Sequence, residues 1–404
     1  MIAMLGSVTA PRLLAQKDGI LRPAEADPAR LEAYLPSPCV QNHAANVMPL
    51  PGGDLACVWF GGTQEGIPDI SVYFSRLAAG DERWSDAVRL SNDPTRSEQN
   101  PILFPAPDGR LWLLWTAQVS GNQDTAIVRR RISIDNGRTW GDVETLFDTV
   151  GRSGVFVRQP PAVLDNGEIL LPIFYCHGRA GEKWVGSYDT SAVRMSSDGG
   201  HTWREHEVPH STGCVHMDVS QLQDGTLLAL FRSRWADNIH SSRSNDRGRT
   251  WSIPVPADLP NNNSSIQFAP LANGHLALMF NDINADGIVE LRASLYDDIE
   301  DDSGLKQPDA KPGERQAVWG VPRAPMTLAL SEDGGRTWSA KRNLEVGDGY
   351  CMTNNSREQL NREYSYPSIK QGSDGALHIA FTYFRQAIKY VRVTEDWVRH
   401  GDGG

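Results

Sequence analysis

Residues able to move protons or hold anions recur in this chain at a fixed offset from turn glycines. His43, Gln99, the segment 157–159 with Arg158 at its centre, His216, Ser264 with Asn263 beside it, and Tyr366 precede Gly53, Gly109, Gly167, Gly225, Gly274 and Gly375 by about eight to ten residues. A second set follows the apolar run after each glycine: Glu65 and Asp69 in WFGGTQEGIPD, His177, Asp189, Arg232 and Arg234 in FRSRWADN, Asp282 and Arg385. Carboxylates and imidazoles transfer protons, a phenol can act as a nucleophile, and guanidiniums grip carboxylates through paired hydrogen bonds. Gathered around one concave surface, such a set suits a glycan. Each residue also has a plainer reading. Tyr366 could pack in a channel, Asp69 cap its IPD loop, Glu65 bind loop backbone, and His43 be a hydrogen-bonded structural imidazole. Arg232 and Arg234 alternate in direction on a strand, so one of them faces the site, and Arg232 is favoured. The histidines lack metal-ligand spacing, and no metal or cofactor is expected.

The elements that carry these residues are hairpins. Six times an apolar strand, a glycine turn and a second apolar strand follow one another, as in ILFPAPDGRLWLLW, SQLQDGTLLALF and IKQGSDGALHIAF. A second repeat, Ser-x-Asp-x-Gly-x-Thr-Trp, occupies 133–140, 196–203, 244–251 and 331–338, with a worn copy at 81–85 that keeps only Trp84 and Ser85. In this Asp box the carboxylate accepts turn N–H groups, glycine supplies a positive φ, threonine bonds back across the turn, and tryptophan packs on neighbouring strands. Each box follows its hairpin as the turn between third and fourth strands. The expected fold is therefore all-β, a six-bladed β-propeller with Asp-box hairpins over residues 39–400. Residues 1–38 form an extension packing on it, and 297–322, rich in Asp, Pro and Glu, form an insertion in blade five. Helical periodicity is confined to a brief stretch at 28–35. Strand 1–2 turns and boxes fall on one face. The first set of polar residues and the strand 2–3 loops fall on the other, so Asp135, Asp198, Asp246 and Asp333 of the boxes are structural.

Composition narrows the function. The 404 residues are 40% hydrophobic with 12 Trp, ample for a core, and the formal charge of −11 comes with no basic run. That speaks against nucleic-acid and membrane partners. Five cysteines without a CxxC pair fit a reduced compartment. Residues 1–10 lack the basic start and long apolar core of a signal peptide, so a cytoplasmic location is expected. Oligomeric state is not legible.

The Asp boxes, the six hairpins and the stretches WFGGTQEGIPD, NNNSS and EYSYPSIKQ resemble the sialidase superfamily, in its branch of bacterial and plant proteins labelled predicted neuraminidases, over roughly residues 40 to 395. The resemblance implies a glycosidase acting on an oligosaccharide or glycoconjugate. Sialidases place a general-acid Asp in the first strand 2–3 loop, where Asp69 stands. They place a nucleophilic Tyr before the last inner strand, where Tyr366 fits better than Tyr364, and a carboxylate-binding Arg after the second strand of blade four, matched by Arg232. The chain departs from that pattern at two places. His43 occupies the region of the first clamp arginine, and His216 with Asp218 that of the glutamate assisting Tyr. Arg323, Arg342 and Arg362 are candidates for the third clamp arginine. A uronate or another acidic sugar is therefore as compatible as sialic acid.

Two other functions fit the same residues. In a polysaccharide lyase, His43 or Tyr366 would abstract the proton α to a uronate carboxylate held by Arg232. A non-catalytic sugar-binding propeller would use the arginines alone. In every case Tyr366, Asp69, His43, Glu65 and His216 are the candidates for chemistry, and Arg232, Arg158, Gln99, Asn263 and Arg385 those for binding.

Overall fold

Each turn glycine closes an antiparallel hairpin, and the strands beyond it complete six separate sheets. The computed structural model describes residues 17–300, 304–309 and 312–400; residues 1–10, read above for a leader, lie outside them. The chain opens with β1 (Arg22–Ala24) and β2 (Asp27–Tyr34). Blade one is β3 (Gln41–Pro49), β4 (Leu55–Gly62), β5 (Ser71–Leu77) and β6 (Val88–Arg89). Blade two is β7 (Ser97–Pro105), β8 (Leu111–Val119), β9 (Asn122–Ser133) and β10 (Glu144–Phe147). Blade three has a divided inner strand, β11 (Ser153–Phe156) and β12 (Ala162–Val163), followed by β13 (Ile169–His177), β14 (Thr190–Ser196) and β15 (Arg204–Glu207). Blade four is β16 (Cys214–Gln221), β17 (Leu227–Ser233), β18 (Asn238–Ser244) and β19 (Val255–Pro260). Blade five is β20 (Gln267–Pro270), β21 (Leu276–Asn281), β22 (Met326–Ser331) and β23 (Ala340–Glu345). Blade six is β24 (Tyr364–Gln371), β25 (Leu377–Tyr383) and β26 (Ala387–Val393). The chain is a six-bladed β-propeller.

The ring closes through the N-terminal extension. β2 pairs antiparallel with β26, Leu31 opposite Arg392 and Tyr34 opposite Lys389, and β1 pairs with β2, so the two ends of the chain share blade six. The brief helical pattern at 28–35 is thus a strand, because pairing with β26 overrides a weak local preference. The described residues contain one α-helix, α1 (Glu395–Arg399), capped by the Thr394 hydroxyl, and no helix long and apolar enough to cross a membrane.

Apolar clusters lie between adjacent blades. Neighbouring inner strands are also latched by side chains accepting backbone N–H groups. Asn46 takes Leu103 N at 2.9 Å, Asp218 takes Phe268 N at 2.7 Å, Gln267 takes Ile369 N at 2.7 Å, and Ser368 takes Val47 N at 3.0 Å. Each latch satisfies a buried donor that no strand within its own blade reaches. The four Asp boxes turn between third and fourth strands, on the face of the 1–2 hairpins. In the first, Ser133 Oγ accepts Gly137 N at 2.7 Å, and Asp135 accepts Thr139 N at 2.8 Å and the Thr139 hydroxyl.

Candidate active site

On the opposite face the inner strands break their own regularity. Ala44, Asn100, His216 and Tyr366 adopt φ values of 58°, 51°, 52° and 50°, although none is glycine. At each of them the register with the second strand slips. These are β-bulges, which bend the strand and re-aim the side chains around them. A left-handed residue with a Cβ costs about 1–2 kcal/mol, so packing must hold it there. Blade three reaches the same end differently: Pro160 and Pro161 cannot donate to a ladder, the inner strand divides between β11 and β12, and Arg158 leaves the sheet.

Tyr366 stands at the centre, buried. Its hydroxyl accepts a hydrogen bond from Arg232 Nη1 at 2.7 Å, and the Arg158, Arg323 and Arg232 guanidiniums lie 5.4, 5.5 and 5.7 Å from its ring centre. The His43 ring lies 4.3 Å and the His216 ring 5.7 Å from the same ring. His43 Nδ1 meets the Thr382 hydroxyl at 2.8 Å, and its Nε2 lies 4.0 Å from Glu65. His216 Nε2 lies 3.4 Å from Arg232 Nη1, and Arg232 Nε donates to Asn263 Oδ1 at 2.7 Å.

The charges fall into two groups. Glu65, Arg385, Glu363 and Arg323 form a buried chain of alternating sign: Arg385 donates to Glu65 at 2.6 Å and to Glu363, and Arg323 donates to Glu363 at 2.7 Å. Two carboxylates there balance two guanidiniums. Arg158 and Arg232 have no carboxylate. Arg158 donates to the Ala45, Tyr366 and Pro367 carbonyls at 3.2, 3.2 and 3.1 Å and to the Ser265 hydroxyl at 3.1 Å; Arg232 has Tyr366 and Asn263. Arg158 Nη1 and Arg232 Nη2 are buried without a hydrogen-bond partner. Burial draws both guanidiniums down to about 10, so both remain cations at neutral pH. Burial first, then the surrounding guanidiniums, hold His43 and His216 well below the ordinary imidazole range. Both rings are therefore neutral near pH 7 and each keeps a lone pair. His43 Nε2 and His216 Nδ1 are likewise buried without a partner.

The structure gathers His43, Glu65, Arg158, His216, Arg232, Asn263, Tyr366 and Arg385. It does not bring Asp69 to them: that side chain is exposed and accepts the Thr63 hydroxyl at 2.5 Å, while Glu65 of the same loop turns inward. Gln99 donates to Ser97 Oγ at 3.0 Å and reaches the group only through Tyr296. Of the three arginines considered for a further clamp, Arg323 faces Tyr366. Arg342 stacks on Trp397 and Arg362 pairs with Asp348 at the surface. Arg234 points away from Tyr366 and pairs with Asp189 at 2.7 Å.

Residues that the sequence reading missed come from two sources. Glu363 and Thr382 sit next to repeats but look like ordinary strand residues. Tyr296 and Trp319 lie in the connection from β21 to β22, residues 282–325, where no periodicity flags them. That connection roofs the site. The Tyr296 hydroxyl accepts from Gln118 and Gln123 at 3.0 Å each, Val318 O accepts from Asn263 at 2.7 Å, and the Trp319 ring lies 5.7 Å from the Arg232 guanidinium. Among the described residues no cluster of metal-ligating side chains occurs.

The bulged inner strands, the Asp boxes on the far face and the polar centre define an Asp-box propeller. Residues 53–379 match the model of the BNR repeat-like domain, and the chain belongs to that family. In fold it is similar to the Hadza microbial sialidase Hz136, at 14% identity and a TM-score of 0.66, over 89% of this chain and 67% of that one. It is similar to a protein of unknown function from Dyadobacter fermentans, at 13% identity and a TM-score of 0.64, over 89% and 97%. The intramolecular trans-sialidase from Ruminococcus gnavus, solved with oseltamivir carboxylate, aligns at 12% identity and a TM-score of 0.63, over 88% and 95%. No curated protein matches in sequence.

Proposed function

We propose that the chain is a sialidase-like glycoside hydrolase that removes a terminal acidic sugar, with Tyr366 as the nucleophile. The carrying observation is a pair of buried guanidiniums that make no ion pair among the described residues: Arg232 donates to the Tyr366 hydroxyl and Arg158 lies over its ring. A buried cation without a counter-ion is costly, and a substrate carboxylate would supply the missing charge. Likeness in fold to sialidases supports the reaction class.

In this reading the phenol oxygen attacks the anomeric carbon, and the glycosidic C–O bond breaks. The leaving oxygen takes a proton from Asp69, which the blade-one loop must turn inward, since Arg385 engages Glu65. Water then hydrolyses the glycosyl-tyrosine. A neutral phenol suits an anomeric carbon that bears a carboxylate, because an anionic nucleophile would be repelled. Its proton needs an acceptor, and the neutral His43 and His216 rings stand beside it where a carboxylate would otherwise serve.

The test uses aryl glycosides of sialic and glucuronic acids. Tyr366→Phe keeps the ring and is expected to lower kcat by about 100-fold or more while the protein stays folded, with a melting temperature lowered by the loss of the acceptor for Arg232 Nη1. A variant at near wild-type rate ends this mechanism. Glu65→Gln and Asp69→Asn identify the acid as whichever loses more rate on a substrate with a poor leaving group. The neutral imidazoles also favour a second reading, β-elimination on a uronate-containing glycan with His43 as base. There His43→Ala is silent, Tyr366→Phe retains activity, and the product absorbs in the near ultraviolet. If the propeller only binds sugar, no variant alters a product and Arg232→Ala weakens binding.

A further inference from the structure

At the end of blade three nearest the Tyr366 site, on its outer flank, lies a second cavity of about 380 Å³. One wall is the end of β13. Tyr175 and His177 stand two residues apart on one face of that strand, their rings stacked 5.9 Å apart at 27° and both half-buried. The His177 ring is clamped from both sides, Nδ1 to the Ser153 hydroxyl at 2.7 Å and Nε2 to the Thr190 hydroxyl at 2.8 Å, so its orientation is fixed in advance. Two strands over in the same sheet, β15 brings Glu205 and Glu207 to that same face. Glu205 accepts the Tyr175 hydroxyl at 2.6 Å and Arg194 Nε at 3.0 Å, whereas Glu207 is exposed and makes no side-chain hydrogen bond among the described residues.

We infer that this cavity is a second carbohydrate subsite, for an uncharged pyranose unit. The Tyr175 and His177 rings both line the cavity and give it an aromatic surface for the C–H face of a sugar ring. The Glu207 carboxylate on the same lining accepts hydroxyls of that sugar, and the volume lies within the range that holds a small ligand. The charge sets the class. Arg194 balances Glu205, Glu207 remains uncompensated, and burial holds His177 below the ordinary imidazole range, so it adds no cation. An acidic sugar is repelled here, in contrast to the Tyr366 site with its surplus of guanidiniums. This inference stands whatever the chemistry at Tyr366.

The test is saturation-transfer NMR on the whole chain with lactose and maltotriose as probes, and with glucuronate as the acidic control. Binding with a Kd of about 1 mM is expected for the neutral probes. Tyr175→Ala and the surface change Glu207→Gln are each expected to weaken it fivefold or more, while Arg232→Ala leaves it unchanged. Thermal melts verify folding, and Glu207→Gln keeps the test valid should Tyr175→Ala unfold. Absence of transfer to both neutral probes overturns the inference. So does transfer that survives Glu207→Gln at full strength, transfer lost with Arg232→Ala, or glucuronate that displaces the Glu207-dependent lactose transfer as well as maltotriose does.

Discussion

The two faces of the propeller carry carboxylates under opposite conditions. At the base, each Asp-box carboxylate is exposed or half-buried and is bonded by donors within five residues of it. The Thr139 and Thr202 hydroxyls hold Asp135 and Asp198 well below the ordinary carboxylate range. At the Tyr366 site every charged group is buried, and its partners come from different blades: Glu65 of blade one meets Arg385 of blade six, and Glu363 meets Arg323 of the blade-five roof. The base is four independent turns. The site is one network, and two of its cations are left without anions. A structural hydrogen bond can be closed locally, whereas a site that must receive an anion has to leave cations open.

The largest effect is expected where the network is cut. Glu363→Gln removes the charge that Arg323 and Arg385 share while keeping the side chain's shape. Arg323 then lacks its counter-ion while Arg385 keeps only Glu65, and breaking a buried pair in this way costs about 3–5 kcal/mol. Denaturant titration at neutral pH measures it. A loss below about 1 kcal/mol would show that the site tolerates bare cations, and the contrast between the faces would fail.

Asp218 tests the same contrast within the channel. It accepts Phe268 N at 2.7 Å, and burial pushes its carboxyl up to about 6, opposed in part by Lys370. An unfolded aspartate titrates near 4. Between these values the folded state binds more protons than the unfolded state, so this group's stabilisation is fully present below pH ~4 and falls as pH rises to about 6. Asp218→Asn keeps an oxygen for the Phe268 N–H and abolishes that slope. The variant is expected to be more stable at pH 7 by about 2 kcal/mol and no more stable at pH 4, as read from denaturation at both pH values. An equal effect at both would assign the change to packing.

The same division explains what was legible in the sequence. The Asp boxes and hairpins are closed by neighbours in the chain, so spacing alone reveals them and the six blades follow. The ring of polar residues before the inner strands was visible from the turn glycines, but its geometry was not. Of Ala44, Asn100, His216 and Tyr366, none is a glycine that would announce a bulge, and only Asn100 and His216 are of types enriched in a left-handed conformation. Asp69 and Glu65 share one loop, and which of them turns inward depends on Arg385, more than three hundred residues away. Tyr296 and Trp319 sit in a connection whose composition resembles a solvent-exposed insertion. Their burial comes from blades two to four beneath them.

The smallest effect concerns the base. In the third box, Ser244 is buried, and its hydroxyl accepts Gly248 N at 2.8 Å and meets Asp246 at 2.8 Å. Ser244→Ala leaves the Gly248 N–H buried without an acceptor, which costs about 1–2 kcal/mol. Ser133→Ala and Ser196→Ala remove the same contact to Gly137 and Gly200, made at 2.7 and 2.8 Å. Because each box is closed within its own turn, the double variants are expected to lose the sum of the single losses to within about 0.5 kcal/mol. The site should behave otherwise: Glu65→Gln and Glu363→Gln both act on Arg385, and their combined cost should depart from the sum by about 1 kcal/mol or more. Denaturation of the singles and doubles measures both quantities. Coupling among the boxes would mean that the base, too, is a network, and additivity at the site would mean that its ion chain is only a row of separate pairs.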